Sequence, residues 1–402
     1  MDALPKRQLF LTHVAQTSSL PLLLDVDRAE GVYIYSKEGK KYFDLNSGIS
    51  VSSLGHCHPA VVKAIGDQAK RYMHTMVYGE HLQGPQIEYA QLLFDQLDSS
   101  LNCIYYLSSG TEVVEASMKL AKRATGRYEF ISAKQAYHGS SQGAEALRSD
   151  HDYSRAFLPL IPGVRHINYN SLEDLMKIST RTAAVILEPV QAEAGIRTPE
   201  PGYLEALRER CDETKTLLIF DEIQTGFGRT GKLFAHQKYG VIPDLMCIGK
   251  AMGGGIPIGG LVGPKSLLNL FTNAPALGHI TTFGGHPVSC AAAVATLKTL
   301  IGSNLIEQVE EKERYIVNKL KHPIIKEIRS SGLMMAVELS KRKYLKHVVN
   351  GAFQKGALID YFLFNSKSFR LAPPLIYSNA ELEQALELLL EAMNEAQARY
   401  QS

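Results

Sequence analysis

Between residues 46 and 300, short apolar runs alternate with stretches of helical spacing, and this alternation constrains the fold more than any other feature of the chain. The runs fall at 104–107, 128–132, 184–187, 217–220 and 245–248. A strand covered by helices on both faces reads as an unbroken apolar run, because neither face meets water. The rhythm therefore predicts a large α/β domain on a sheet that is parallel or mixed. After residue 300 the texture changes to an amphipathic helix at 305–320, short strands within 328–339 and at 368–371, and a closing helix at 379–400. That order reads as a smaller α+β domain. Near the start, Val32-Tyr33-Ile34-Tyr35 and Lys41-Tyr42-Phe43-Asp44 flank Gly39 as a hairpin that joins this second domain. The expected division is 46–300 for the large domain, and 1–45 with 301–402 for the small one.

With 402 residues, 45% of them apolar and 21% charged, the chain can bury the cores of two domains. Net charge is +2, and basic clusters such as Lys341-Arg342-Lys343 are too short for a nucleic-acid or membrane footprint. Small-molecule partners are expected instead. Five cysteines lie scattered without a CxxC pair, which fits reduced thiols in a cytoplasm. The opening segment MDALPKRQLFLTHVAQTSSL shows no secretory signal, and no run reaches the length of a membrane span.

Two of the apolar runs end in charge. Leu217-Leu218-Ile219-Phe220 leads to Asp221, and Leu245-Met246-Cys247-Ile248 leads through Gly249 to Lys250 and a glycine run. Ligands of open α/β sheets bind at the carboxyl ends of strands. Alone, Asp221 reads as a turn cap and Lys250 as a solvated loop residue. On neighbouring strand ends the two suit pyridoxal 5′-phosphate (PLP), which needs a lysine for an imine and a carboxylate at its pyridine nitrogen. A seat for the phosphate is available at Ser109-Gly110-Thr111-Glu112: Ser109 and Glu112 match a capping box, and the free N–H groups of Gly110 and Thr111 open the following helix.

With these residues in order, the chain resembles the class III aminotransferases of PLP fold type I, the aspartate-aminotransferase-like fold. The resemblance rests on Gly55-His56-Cys57-His58-Pro59, Ser109-Gly110-Thr111-Glu112, Tyr137-His138-Gly139, Glu188-Pro189-Val190-Gln191, Asp221 to Gly226, Gly249-Lys250 and Thr282-Phe283-Gly284-Gly285. It implies PLP as cofactor, with Lys250 and Asp221 catalytic. It further implies cofactor contacts from Ser109, Gly110, Thr111, Tyr137 stacked on the ring, His138, Glu188, and Gln224 at the 3′-oxygen. Thr282 resembles a residue that reaches the partner subunit's phosphate, which implies a homodimer with shared sites. His56 and His58 resemble a structural turn, and no metal site is expected.

The reaction implied is a ping-pong transfer from an amino donor to a 2-oxoacid, 2-oxoglutarate, with Lys250 both holding the cofactor and moving the proton. Arg370 is similar to the arginine that grips the oxoacid's α-carboxylate, and Glu193 to the glutamate that covers it while an ω-amine is bound. Glu193-Ala194-Gly195 looks most like the ornithine and acetylornithine aminotransferases. The 4-aminobutyrate aminotransferases and PLP-dependent aminomutases of the same fold are the alternatives. Three positions depart from those relatives: Ser140 stands for an arginine, His286 for an asparagine and Ala192 for a glycine.

Overall fold

The computed structural model describes residues 6–400. Three strands, β1 (Val26–Glu30), β2 (Tyr33–Ser36) and β3 (Lys41–Asp44), form an antiparallel meander that turns at Gly39, whose φ of 81° lies where an L side chain is strained. Seven strands build the main sheet: β4 (Cys103–Leu107), β5 (Glu129–Ala133), β6 (Val164–Ile167), β7 (Thr182–Leu187), β8 (Leu217–Asp221), β9 (Leu245–Ile248) and β10 (Gly259–Gly263). Their spatial order is β4-β10-β9-β8-β7-β5-β6. Every residue of β7 is buried, as its unbroken apolar run requires.

The sheet is mixed rather than parallel throughout, because β10 runs antiparallel to both β4 and β9. The sequence did not announce β10: three of its five residues, Gly259, Gly260 and Gly263, are poor strand formers. Their reason is space. A Cβ on Gly259 would stand 2.6 Å from Val113 Cγ2 and 2.9 Å from the Ser109 carbonyl oxygen. Only glycine lets the helix Gly110–Thr125, with Val113, Val114, Ala116, Ser117, Met118, Leu120 and Ala121 buried, lie this close to the sheet. Strand β6, also unforeseen, is too short and too polar (Val-Arg-His-Ile) to read as an apolar run.

Beyond the main sheet, β11 (Ile325–Ser330), β12 (Met335–Leu339), β13 (Ala357–Leu358), β14 (Asp360–Tyr361) and β15 (Ser368–Leu371) follow. Four of them make an antiparallel sheet in the order β11-β12-β15-β14, whereas β13 pairs in parallel with β3, Ala357 opposite Phe43. The helix expected at 305–320 is shorter, Val309–Lys319. The closing helix is Asn379–Ala398, opened by a capping box between Ser378 and Glu381. Among the described residues no helix is long and apolar enough to cross a membrane.

Candidate active site

Strands β8 and β9 are parallel neighbours with Asp221 opposite Cys247, so Asp221 and Lys250 leave the same edge of the sheet one strand apart. There they line a cavity of about 600 Å³ together with Gly110, Thr111, Tyr137, His138 and Gln224. Asp221 is 5% exposed. Its Oδ2 takes a hydrogen bond of 2.7 Å from His138 Nδ1, and its Oδ1 accepts from the Ile223 N–H at 3.1 Å. Burial is the largest influence on His138 and pushes its pKa down, yet the bond and charge of Asp221, with Glu188 behind, outweigh it and hold the imidazole above its ordinary value.

Lys250 sits in the left-handed region at φ 45°, immediately after β9. Its amine is held below the ordinary lysine pKa. The cause is the packed protein around it, with Arg370 adding to the effect and Glu193, Asp221 and Glu188 opposing it. A lysine so placed has more neutral amine at neutral pH, the form that attacks a carbonyl carbon or accepts a proton. Glu188 is pushed up to about 7, chiefly by burial, while its two oxygens accept from the Tyr137 N–H at 3.2 Å and the Ala192 N–H at 2.8 Å.

The phosphate seat expected at Ser109 to Thr111 takes this form. Ser109 Oγ accepts from the Glu112 N–H at 3.4 Å, but the Glu112 carboxylate turns back to the Ser108 N–H, 2.7 Å away, so the capping box closes one residue early. Gly110 and Thr111 occupy the first positions of the helix and line the cavity. A Cβ on Gly110 would meet Ile223 Cδ1 at 2.9 Å, and one on Gly139 would meet Thr111 Oγ1 at 2.3 Å. The cradle is therefore walled by two glycines that nothing larger replaces. Thr111 Oγ1 and Ser141 Oγ lie 2.6 Å apart. Glu188 and Ser140, both noted in the sequence, complete the lining with Gly139, Ser141, Ile223 and Thr225, to which the sequence alone assigns no role of their own. The only signal for these four was adjacency to residues that have one.

Glu193 and Arg370 lie beyond this lining yet act on the charge of Lys250. Arg370 Nη2 bonds Glu193 Oε1, with the two side chains 2% and 7% exposed, and Glu193 Oε2 accepts from the Leu363 N–H at 3.1 Å. Strand β15 supplies Arg370, and the loop after β7 supplies Glu193. Thr282 stands apart from the cavity, exposed in a turn beside Phe283, itself 57% exposed. His56 Nε2 hydrogen-bonds Asp44 Oδ2 at 2.8 Å. Among the described residues no cluster of three or more His, Cys, Asp or Glu is arranged to hold a metal.

These residues fit PLP. Gln224 Nε2 and His138 Nε2 are buried without partners on two residues that line the cavity, and a helix N-terminus walled by glycines opens beside a lysine amine. Comparison with known proteins agrees. The family model for class-III aminotransferases matches residues 14–393. The chain is 37% identical over 380 residues to the acetylornithine aminotransferase of Clostridium acetobutylicum, covering 91% of this chain and 95% of that one. It is 40% identical over 369 residues to the acetylornithine aminotransferase of Methanopyrus kandleri, covering 90% and 92%. With the putrescine aminotransferase of Pectobacterium atrosepticum it shares 38% identity over 373 residues, covering 88% and 78%. Among solved structures, the ornithine aminotransferase of Toxoplasma gondii superposes with a TM-score of 0.91 at 27% identity, covering 98% of this chain and 95% of that one.

Proposed function

The chain belongs to the class-III aminotransferases and is a PLP-dependent transaminase; from that premise we propose that it transfers an amino group from an ω-amine such as acetylornithine or ornithine to 2-oxoglutarate in a ping-pong cycle. The observation that carries this reading is the buried Glu193–Arg370 pair within electrostatic reach of Lys250. A pocket serving two unlike substrates in turn needs a cation for the oxoacid's carboxylate and a means to neutralise that cation when the donor brings none. The names of the acetylornithine and ornithine aminotransferase relatives support the same donor class.

When bound, PLP supplies an electron sink for cleavage of the C–H bond on the carbon that bears the reacting amine. The chain's own residues do the rest. Gly110 and Thr111 present backbone N–H groups, and Ser109 orders them through the helix cap. Tyr137 offers a ring for stacking, and Gln224 Nε2 a free N–H for an oxygen. Asp221, kept in place by His138, is the carboxylate that would keep the cofactor's ring nitrogen protonated. Lys250 Nζ, with its pKa lowered, would take the proton from the amine-bearing carbon of the substrate and deliver it to the cofactor, which retains the amino group. Glu188 fixes the backbone at Tyr137 and Ala192, so the stacking ring and the Glu193 loop are placed by one carboxyl group.

The reading extends to a cytoplasmic homodimer in which Thr282, exposed beside Phe283, reaches the partner's phosphate. It also divides the chain into 46–300 and 1–45 with 301–402, a grouping supported by the pairing of β3 with β13. The test is a panel of acetylornithine, ornithine, 4-aminobutyrate and putrescine with 2-oxoglutarate, followed by glutamate release. Glutamate formed with an ω-amine is expected. Product formed without any added 2-oxoacid would replace the reading with an aminomutase.

A further inference from the structure

A dicarboxylic oxoacid brings two negative charges into the pocket, and the pocket so far offers one guanidinium, that of Arg370. Among the residues lining the cavity, the basic side chains are Lys250, reserved for the cofactor, and His138, bonded to Asp221. Ser140, on the cavity wall, contributes only a hydroxyl, 3.4 Å from the Tyr137 hydroxyl. An unpaired carboxylate in such a place binds poorly.

One further guanidinium lies a single ring away. Arg148 is 8% exposed, and its guanidinium carbon stands 5.8 Å from the centre of the Tyr137 ring, 4.8 Å from that of Tyr153 and 5.4 Å from that of Phe364. Its charge is loosely met. Arg148 Nη1 reaches Glu145 Oε2 at 3.2 Å, while Nε and Nη2 reach the two oxygens of Asp150 at 3.2 and 3.5 Å. A well-made guanidinium–carboxylate fork is shorter, about 2.7–2.9 Å. Glu145 Oε1 is buried with no partner at all. The arginine is thus buried between two carboxylates, neither of which holds it tightly.

The segment 362–364 ties this arginine to Arg370. The Phe362 ring lies 4.8 Å from the Arg370 guanidinium carbon, the Phe364 ring packs on Arg148, and the Phe364 N–H donates to the Glu193 carbonyl at 3.1 Å. Residues two apart along a chain are separated by at most about 7 Å. The two guanidiniums are thus packed against rings that belong to one three-residue segment of the chain.

We propose that Arg148 is the second cationic seat of the substrate pocket, taking the distal carboxylate of a dicarboxylic 2-oxoacid as Asp150 gives it up. The inference rests on the transaminase reading above and deepens it: two arginine–carboxylate pairs flank the pocket, Glu193–Arg370 for the carboxylate beside the reacting carbon and Asp150–Arg148 for the far one. A monocarboxylic oxoacid engages only the first.

The test compares 2-oxoglutarate with pyruvate as acceptors for the holoenzyme and its Arg148→Met, Arg148→Lys and Asp150→Asn variants. It reads KM and kcat, and separately the melting-temperature shift that each oxoacid induces. Arg148→Met raises KM for 2-oxoglutarate roughly 10- to 100-fold, the worth of a charge-assisted pair, and removes its extra thermal shift, while the values for pyruvate stay within about twofold. Arg148→Lys, which keeps the charge but not the fork, falls between. Asp150→Asn keeps the cap on the Tyr153 N–H, 3.1 Å away, and lowers KM for 2-oxoglutarate by freeing the arginine, a direction that lost structure does not produce. Equal changes with both acceptors, or no change with either, overturn the assignment. Absence of any amine-dependent change in cofactor absorbance in the unaltered protein overturns the transaminase reading itself, and the assignment with it.

Discussion

Replacing Glu193 with glutamine removes one charge and almost no volume from a pair whose side chains are 2% and 7% exposed. The amide oxygen still accepts a hydrogen bond, but it must choose between Arg370 and the Leu363 N–H, 3.1 Å from Glu193 Oε2 in the native pair. A charge-assisted bond contributes about 1.5–3 kcal/mol and a neutral one about 0.5–1.5, so the guanidinium loses about 1–2 kcal/mol of compensation. That loss appears as reduced stability of the protein with no oxoacid bound. It reverses sign when a substrate carboxylate arrives, because Arg370 no longer has to leave a charged partner. The expected result is tighter binding of carboxylate substrates by about 5- to 30-fold, with the ω-amine half-reaction weakened by a similar factor. Cofactor absorbance follows each half-reaction separately: the amine-loaded form accumulates on adding donor alone and disappears on adding oxoacid alone. Equal losses in the two halves would refute the switch and leave Glu193 a purely structural acid.

Three further substitutions probe the remaining machinery. Lys250→Ala should keep the fold and cut turnover by at least about two to four orders of magnitude, the range for general acid–base catalysis alone; peptide mapping after borohydride reduction of the native protein should find the cofactor on Lys250 and on no other lysine. Asp221→Asn removes the charge that offsets the burial of His138, so the imidazole pKa should fall by NMR and cofactor affinity should drop at least about tenfold; an unshifted His138 would sever the pair. Glu188 is raised from 4.5 to about 7 in the fold, which means the folded state disfavours its carboxylate. The stability associated with this group is therefore full below pH 4.5, is lost as pH rises towards 7, and changes no further above. Glu188→Gln should gain on the native cofactor-free protein across that window by at most about 3 kcal/mol, read as a pH-dependent difference in melting temperature. A difference independent of pH would contradict the assigned titration.

What the sequence made legible follows from which forces leave a local trace. Strands β7, β8 and β9 are buried on both faces, and that condition writes itself as apolar runs, so they and the charged residues ending two of them could be read directly. Strand β10 could not, because its glycines answer to the approach of Ser109 and Val113 from another part of the chain. The helix at Val309–Lys319 begins later than its periodicity suggested, since Leu305 and Ile306 pack as partly buried side chains ahead of its first turn. In the site, Lys250, Asp221 and the glycine cradle were visible as residue types in a telling order. Arg148 was not, since an arginine within a run of ordinary residues acquires meaning only when Tyr137, Tyr153 and Phe364 close around it.

The antiparallel course of β10 has a practical corollary for anyone who wishes to redesign the chain. Since Gly260 lies opposite Ile248 and Gly259 opposite Leu107, the peptide that leaves β9 at Lys250 returns down the adjacent strand on the same edge of the sheet. The lysine rides on a short out-and-back span anchored at both feet, unlike the connection from β4 to β5, which runs through the long helix Gly110–Thr125. Inserted residues there would lengthen the tether of the reacting amine, and a break there would leave it on a free end. Insertion tags, split points and new termini therefore belong at the opposite edge of the sheet, where the connections never meet the cavity.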